Sequence, residues 1–274
     1  GVNNNGNTDP GGTPQWGYSF VSTPIAANST YVLTMQFYAQ NAGVISTNTT
    51  GNNYYIRGWL NGQVFDVMDF NTANLTNTNG SNTGVNGIGS LSAHPDPIGL
   101  GAINSDYVDH EGLDCNQTGQ NSFKGGLAEI CYYTERLSET QRIIIENYLG
   151  AKYFANIIVN DKYVHEEGFG NDLIGIGQQT NSSSNRHNLS QGRNPFLITA
   201  ANYSLPDQFF YTGHNGANLL YTNSSVPGNS PNIQRLQRIW RVDERGSFGD
   251  VSITVNTTDL PAAPSGFSKL VILI

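Results

Sequence analysis

Charge is what this chain has least of. Only 12% of its 274 residues are Asp, Glu, Lys or Arg, against roughly a quarter in an average globular domain. Lysine is nearly missing, with four in the whole chain, whereas asparagine occurs 34 times. The net charge is −8, and the basic residues are scattered, with Arg235, Arg238 and Arg241 the one local group. That balance argues against nucleic acid or an anionic membrane surface as a partner. No apolar run reaches the roughly 20 residues of a membrane-spanning helix, so no membrane insertion is expected. The chain opens at Gly1 with neither a basic n-region nor an apolar h-region, and any export signal is expected to lie outside it.

Cysteine is almost as scarce. Cys115 and Cys131 read either as one disulfide, which would fit an oxidising compartment, or as two unrelated thiols. No Cys/His spacing suggests zinc. The signatures of the common catalytic machineries are missing too: there is no GxSxG, P-loop, dinucleotide fingerprint or HExxH. His94, His110, His165, His187 and His214 are scattered, as surface or hydrogen-bonding histidines are, so the chain is not expected to be an enzyme.

What remains is rich in Asn, Thr, Ser and Gly, residues suited to turns and exposed strands and poor in helix interiors. With 14 Tyr, 12 Phe and three Trp, the chain is too aromatic to be disordered. Residues 1–15 form a polar leader. Tyr31–Tyr38 alternates with Tyr31, Leu33, Met35 and Phe37 on one face, the pattern of a half-buried strand. Tyr54–Leu60 and Gln63–Phe70 flank Asn61-Gly62, a type I′ hairpin signal. Residues 71–122 read as long loops with short apolar pieces such as Ile98–Ile103.

Phe123–Tyr133 reads as a strand apolar on both faces and therefore central. Ser138-Glu139-Thr140-Gln141 then forms a capping box. Ile144, Ile145, Tyr148, Leu149 and Lys152 follow at helical spacing, and the helix is expected to end near Phe154. Beyond it, Asn171–Gly177, Phe196–Ala200, Phe209–Gly213, Asn218–Thr222, Arg235–Val242 and Val251–Asn256 are strand candidates. Gly175-Ile176-Gly177 is expected to turn, Asn215-Gly216 to close a second hairpin, and Trp240 to enter a core. Lys269–Ile274 reads as an apolar strand whose exposure would invite pairing with another chain.

The segment FKGGLAEICYYTERLSETQRIIIENYLGAKYF, residues 123–154, resembles the end of a laminin-G-like, concanavalin-type jelly roll found in surface proteins of Bacteroidota-type bacteria. Phe123 and Gly125, Leu127-Ala128-Glu129, Tyr133, Leu137-Ser138, Tyr148-Leu149 and Lys152-Tyr153 carry the likeness. Trp59-Leu60-Asn61-Gly62 resembles the hairpin of the same fold. Asn171–Gly177 and Arg238–Val242 resemble a β-domain of unknown function that follows the jelly roll in exported adhesins. The resemblance implies a secreted protein with a surface, adhesive or structural role.

The expected fold is therefore mainly β: a jelly-roll portion over 16–137, a linking amphipathic helix over 138–154, and a second β-sandwich-like domain over 155–274. Against the family, the jelly roll lacks its opening strands and the second domain stops early. A piece of a longer exported polypeptide, or a subunit completed by a neighbour's strands, would explain both.

Concanavalin-like folds also host glycoside hydrolases, which need two carboxylates flanking one glycosidic bond. The densest acidic group here, Asp106, Asp109, Glu111 and Asp114, has loop character instead. Its functional reading is a Ca²⁺ site, although it fails the EF-hand spacing, and its bland alternative is a solvated loop. Trp16, Tyr54, Tyr55 and Trp59 are candidates for stacking on a sugar, with core packing the competing fate. The sequons at Asn28, Asn48, Asn74, Asn79, Asn116, Asn181, Asn188, Asn202, Asn223 and Asn256 are polar surface in a bacterium and glycan sites in a eukaryote. Three functions stay open: an extracellular adhesion or ligand-binding module for a glycan, cell-surface or matrix ligand; a subunit that assembles with copies of itself by strand pairing; and a relic of a glycan-active hydrolase.

Overall fold

The computed structural model describes residues 26–39, 54–70, 125–192 and 195–272, and the chain divides into two compact units. Among the described residues the protein is mainly β. The first unit takes in residues 33–60 and 64–136. Its sheet has the order β1 (Leu33–Ala39), β2 (Tyr54–Leu60), β3 (Gln63–Phe70). β1 runs antiparallel to β2, with Leu33 opposite Leu60 and Ala39 opposite Tyr54. The turn expected between β2 and β3 is there, with φ of 49° at Asn61 and 81° at Gly62. On β1, Leu33 and Met35 are exposed rather than buried.

The strand expected at Phe123–Tyr133 is not borne out over its described part. Residues 125–133 belong to no strand, and Leu127, Ile130, Tyr132 and Tyr133 are exposed. Alternation alone does not make a strand; a partner edge does, and no described strand pairs with this segment.

The second unit comprises residues 26–32, 61–63 and 137–274. Asn61 ties three of its segments together. Its N–H donates to Val32 O and its side-chain oxygen accepts from Val32 N–H, both at 2.8 Å, while its carbonyl accepts from Ile158 N–H. Gly62 is obligatory beside it, because a Cβ there would collide with Val159 O and φ is positive. Val32, Ala155 and Ile157 form a small core under this clamp, with Leu149 against it.

The helix α1 runs Glu139–Tyr153. Its N-terminus is the anticipated capping box: Gln141 N–H donates to Ser138 Oγ at 3.2 Å and Ser138 N–H donates to the Gln141 side chain at 2.8 Å. It stops at Phe154, which adopts a left-handed φ of 54°. The helix packs into the second unit, where it lies on β4 (Asn171–Gln178).

Before β4 comes a single turn, Glu166–Phe169. The remaining strands are β5 (Arg186–His187), β6 (Leu189–Gln191), β7 (Phe196–Ala200), β8 (Gln208–His214), β9 (Tyr221–Thr222), β10 (Arg235–Leu236), β11 (Trp240–Arg245) and β12 (Val251–Val255). An antiparallel sheet of order β11-β8-β4-β5 lies between α1 on one face and the sheet β12-β7-β6 on the other. β9 and β10 make a separate pair.

Period-two alternation builds both cores. On the helix side, Leu173, Phe209 and Tyr211 meet Ile143, Ile144, Ala151 and Tyr163. On the other side, Ile174, Ile176 and Phe210 meet Ile198, Ala200 and Tyr203. Gly175 and Gly177 sit opposite Tyr211 and Phe209 within β4, so the turn expected there is a strand instead. They are glycines because the neighbouring rings fill the space: a Cβ on either would lie 2.5 Å from the ring opposite. The two rings stack at 6.0 Å and 7°.

Tyr211 is wholly buried, and its hydroxyl finds no hydrogen-bond partner among the described residues. An unpaired buried hydroxyl carries its desolvation cost uncompensated. Tyr211→Phe is therefore expected to stabilise the second unit by about 1 kcal/mol, read as a raised midpoint in urea melts; a lowered midpoint would show that the oxygen fills needed volume.

Three further expectations change. Asn215-Gly216 closes no hairpin, since β8 pairs with β4 and β11 while β9 pairs with β10. Arg235–Val242 splits between β10 and β11. Residues 269–272 form no strand, and Leu270, Val271 and Ile272 are exposed.

Candidate functional site

The end of α1, the turn before β4 and the end of β8 converge on a surface cleft of about 170 Å³. Ala151, Lys152 and Phe154 come from the helix end; Glu166, Gly168, Gly170 and Asn171 come from the turn and the start of β4; Asn215 follows β8. The left-handed cap leaves the Phe154 ring exposed. Its polar residues are Lys152, Glu166, Asn171 and Asn215. Lys152 Nζ donates to Tyr148 Oη at 2.7 Å, Asn171 Nδ2 to His214 O at 3.1 Å, and Asn215 Oδ1 accepts from the N–H groups of Ala217 and Ile239. That volume is below the range of a drug-sized pocket and suits a single sugar ring or one polar side chain. Burial, reinforced by the charges of Asp161 and Asp243, raises the Glu166 carboxyl above its usual range, against the pull of a backbone N–H and Arg245. Burial likewise raises Asp161.

Next to Asn171 and Asn215 lies the pair Asp172 and His214. Buried His214 has Nε2 3.0 Å from Asp172 Oδ2, and its Nδ1 accepts from Gly216 N–H at 2.9 Å. That acceptor role places the ring proton on Nε2, donating to Asp172. Both ring nitrogens are thus occupied, leaving none to take a proton from a substrate. Burial lowers the His214 pKa, with the nearby Arg238 charge adding to it and the Asp172 hydrogen bond opposing. His187 is lowered by burial alone.

A histidine kept neutral in the fold but free to protonate once unfolded makes stability fall as pH drops through and below about 6.5. Below the lowered folded-state pKa both states are charged and the loss levels off. Urea melts between pH 7.5 and 5 should show this slope, and His214→Gln should flatten it; an unchanged slope would exclude His214 as its source.

The residues singled out from sequence fall elsewhere. Trp16, Asp106, Asp109, Glu111, Asp114, Cys115, His94 and His110 lie outside the described residues. Tyr54 and Tyr55 are in β2, opposite Ala39 and Tyr38. Trp59 is buried, so its ring faces are not offered to a ligand. Cys131 is exposed, with Sγ 3.8 Å from the Glu129 carboxylate. Among the described residues no group of three or more His, Cys, Asp or Glu is placed to hold a metal ion, and no helix is long and apolar enough to cross a membrane. Trp240 is half-buried, edge-on to Phe196 at 4.8 Å. The sequon residues Asn28, Asn181, Asn188, Asn202, Asn223 and Asn256 are all exposed. Sequence reasoning missed the cleft because its residues come from three separate segments; the glycines at 168 and 170 were its nearest signal.

Residues 141–274 match a family described as a domain of unknown function (DUF8202). No curated protein and no solved structure matches the chain.

Proposed function

We propose that this chain is a non-catalytic module of an extracellular surface protein, binding a glycan or another cell-surface or matrix ligand. The observation that carries the reading is the cleft itself: exposed Phe154 together with Lys152, Glu166, Asn171 and Asn215 lines it. Sugars are held by an apolar ring face plus directed hydrogen bonds to hydroxyls. Glycoside hydrolysis needs two carboxylates facing one void. Of Asp161, Glu166, Asp172 and Asp243, Glu166 alone lines this cleft, which favours binding over a hydrolase relic.

The test is a glycan-array screen followed by calorimetry on any hit. Binding without product release is expected, weakened at least about tenfold by Phe154→Asn, a residue that tolerates the left-handed backbone, and by Glu166→Gln. Binding untouched by both substitutions would move the site elsewhere; released oligosaccharide would overturn the non-catalytic reading.

A second reading, a subunit that assembles with copies of itself by strand pairing, is favoured by the exposure of Leu270, Val271 and Ile272.

A further inference from the structure

Among the described residues the sandwich is open along one side. β11 is the terminal strand of its sheet, and its register with β8 sets Trp240 opposite His214 and Val242 opposite Thr212. Thr212 shares its side of β8 with Phe210, so Val242 points toward the core formed by Ile174, Ile176 and Ile198. It is nonetheless 44% exposed. On the facing sheet, Ile253 of β12 stands opposite fully buried Ile198, yet is 41% exposed. The other side of β11 carries Arg241, Asp243 and Arg245, with exposed Val164 donating its N–H to Asp243 Oδ2 at 3.0 Å. A terminal strand with uncovered apolar positions on its core-facing side fits an added strand that is itself apolar.

This chain carries such a segment. Lys269-Leu270-Val271-Ile272 is exposed and belongs to no strand, with Val271 72% exposed. We propose that Lys269–Ile272 of a second copy adds as an antiparallel strand to the free edge of β11. One register pairs a cation with a carboxylate and valine with valine. It sets Lys269 opposite exposed Glu244 and Val271 opposite Val242 on the sandwich face, and Leu270 and Ile272 on the face that carries Val164. A shift by one residue would set Lys269 opposite Arg245, a like charge, or opposite Asp243, which is buried and already accepts from Val164 N–H. Every copy offers both a segment and an edge, so the contact is head-to-tail and can propagate.

This inference rests on the self-assembly reading and names its surface. Light scattering coupled to size-exclusion chromatography on the whole chain, across a wide concentration range, tests both. Wild type is expected to gain mass with concentration. Val271→Lys and Val242→Lys alter exposed side chains, so circular dichroism should be unchanged while self-association weakens at least about tenfold. Lys269→Glu and Glu244→Lys should each weaken it and together restore it. A wild type that stays monomeric throughout overturns the self-assembly reading along with the inference. Association that survives Val242→Lys and ignores the charge swap leaves self-assembly standing and overturns this edge. A monomer whose 269–272 amides are protected from exchange would place the segment on its own β11, which also overturns the proposal.

Discussion

Glu146→Ala is expected to cost about 3 kcal/mol of stability, the low end for removing one member of a buried ion pair, because exposed Glu139, 3.8 Å from the Arg142 guanidinium, keeps part of the counter-charge. Arg142 and Glu146 lie one turn apart on α1, 5% and 1% exposed, with the Arg142 guanidinium 2.5 Å from the Glu146 carboxylate. In water such a pair contributes a few tenths of a kcal/mol. Buried, its attraction offsets two desolvation penalties, so the pair as a whole need not stabilise, whereas half of it is costly. The double replacement Arg142→Met with Glu146→Leu should therefore recover much of what Glu146→Ala loses. A double-mutant cycle in urea would read this directly; a double variant no better than the single one would mean that Arg142 has a further role in the fold.

The second large effect is expected at Asn147, one residue along and also buried. Its Oδ1 accepts from the N–H groups of Lys162 and Tyr163, at 2.7 and 3.1 Å, and its Nδ2 donates to Ile143 O and Asn160 O, both at 2.8 Å. It does for the 160–163 segment what a neighbouring strand would do, satisfying backbone groups that have no ladder. Asn147→Ala would strand these groups, at about 1–3 kcal/mol for each that stays buried and unpaired. We expect a loss of about 3 kcal/mol and faster amide exchange at Lys162 and Tyr163. Asn147→Asp keeps the acceptor and should lose less. Exchange at 162 and 163 that stays slow in Asn147→Ala would overturn the clamp.

The two positions explain why the helix was legible in outline but not in use. The capping box at Ser138 and Gln141 acts within four residues, so the sequence announces it. Helical spacing lines up Ile144, Ile145, Tyr148, Leu149 and Lys152, but the centre of the buried face is Ile143 and Asn147, flanked by Thr140 and Ala151. A buried Asn or Arg looks like a surface residue until its partners are known, and three of the four for Asn147 lie 13 to 16 residues ahead. Thr140, which accepts from Gln179 N–H and donates to Asn185 O, is the same case at longer range. The cleft was invisible for that reason too. Phe154, Glu166 and Asn215 meet because a helix end, a turn and a strand end are brought to one place.

By itself the sequence determined the β character, the Asn61-Gly62 turn, the capped helix and most of the longer strands, all consequences of local geometry and of periods of two and 3.6 residues. The tertiary structure decided which strands pair, why Gly175 and Gly177 are glycines under Tyr211 and Phe209, and where buried polar groups find their partners. Among the described residues it also left β11 at the edge of its sheet and Lys269–Ile272 out of every sheet. A strand's alternation says which face is apolar, but another part of the chain, or another chain, has to supply what covers it.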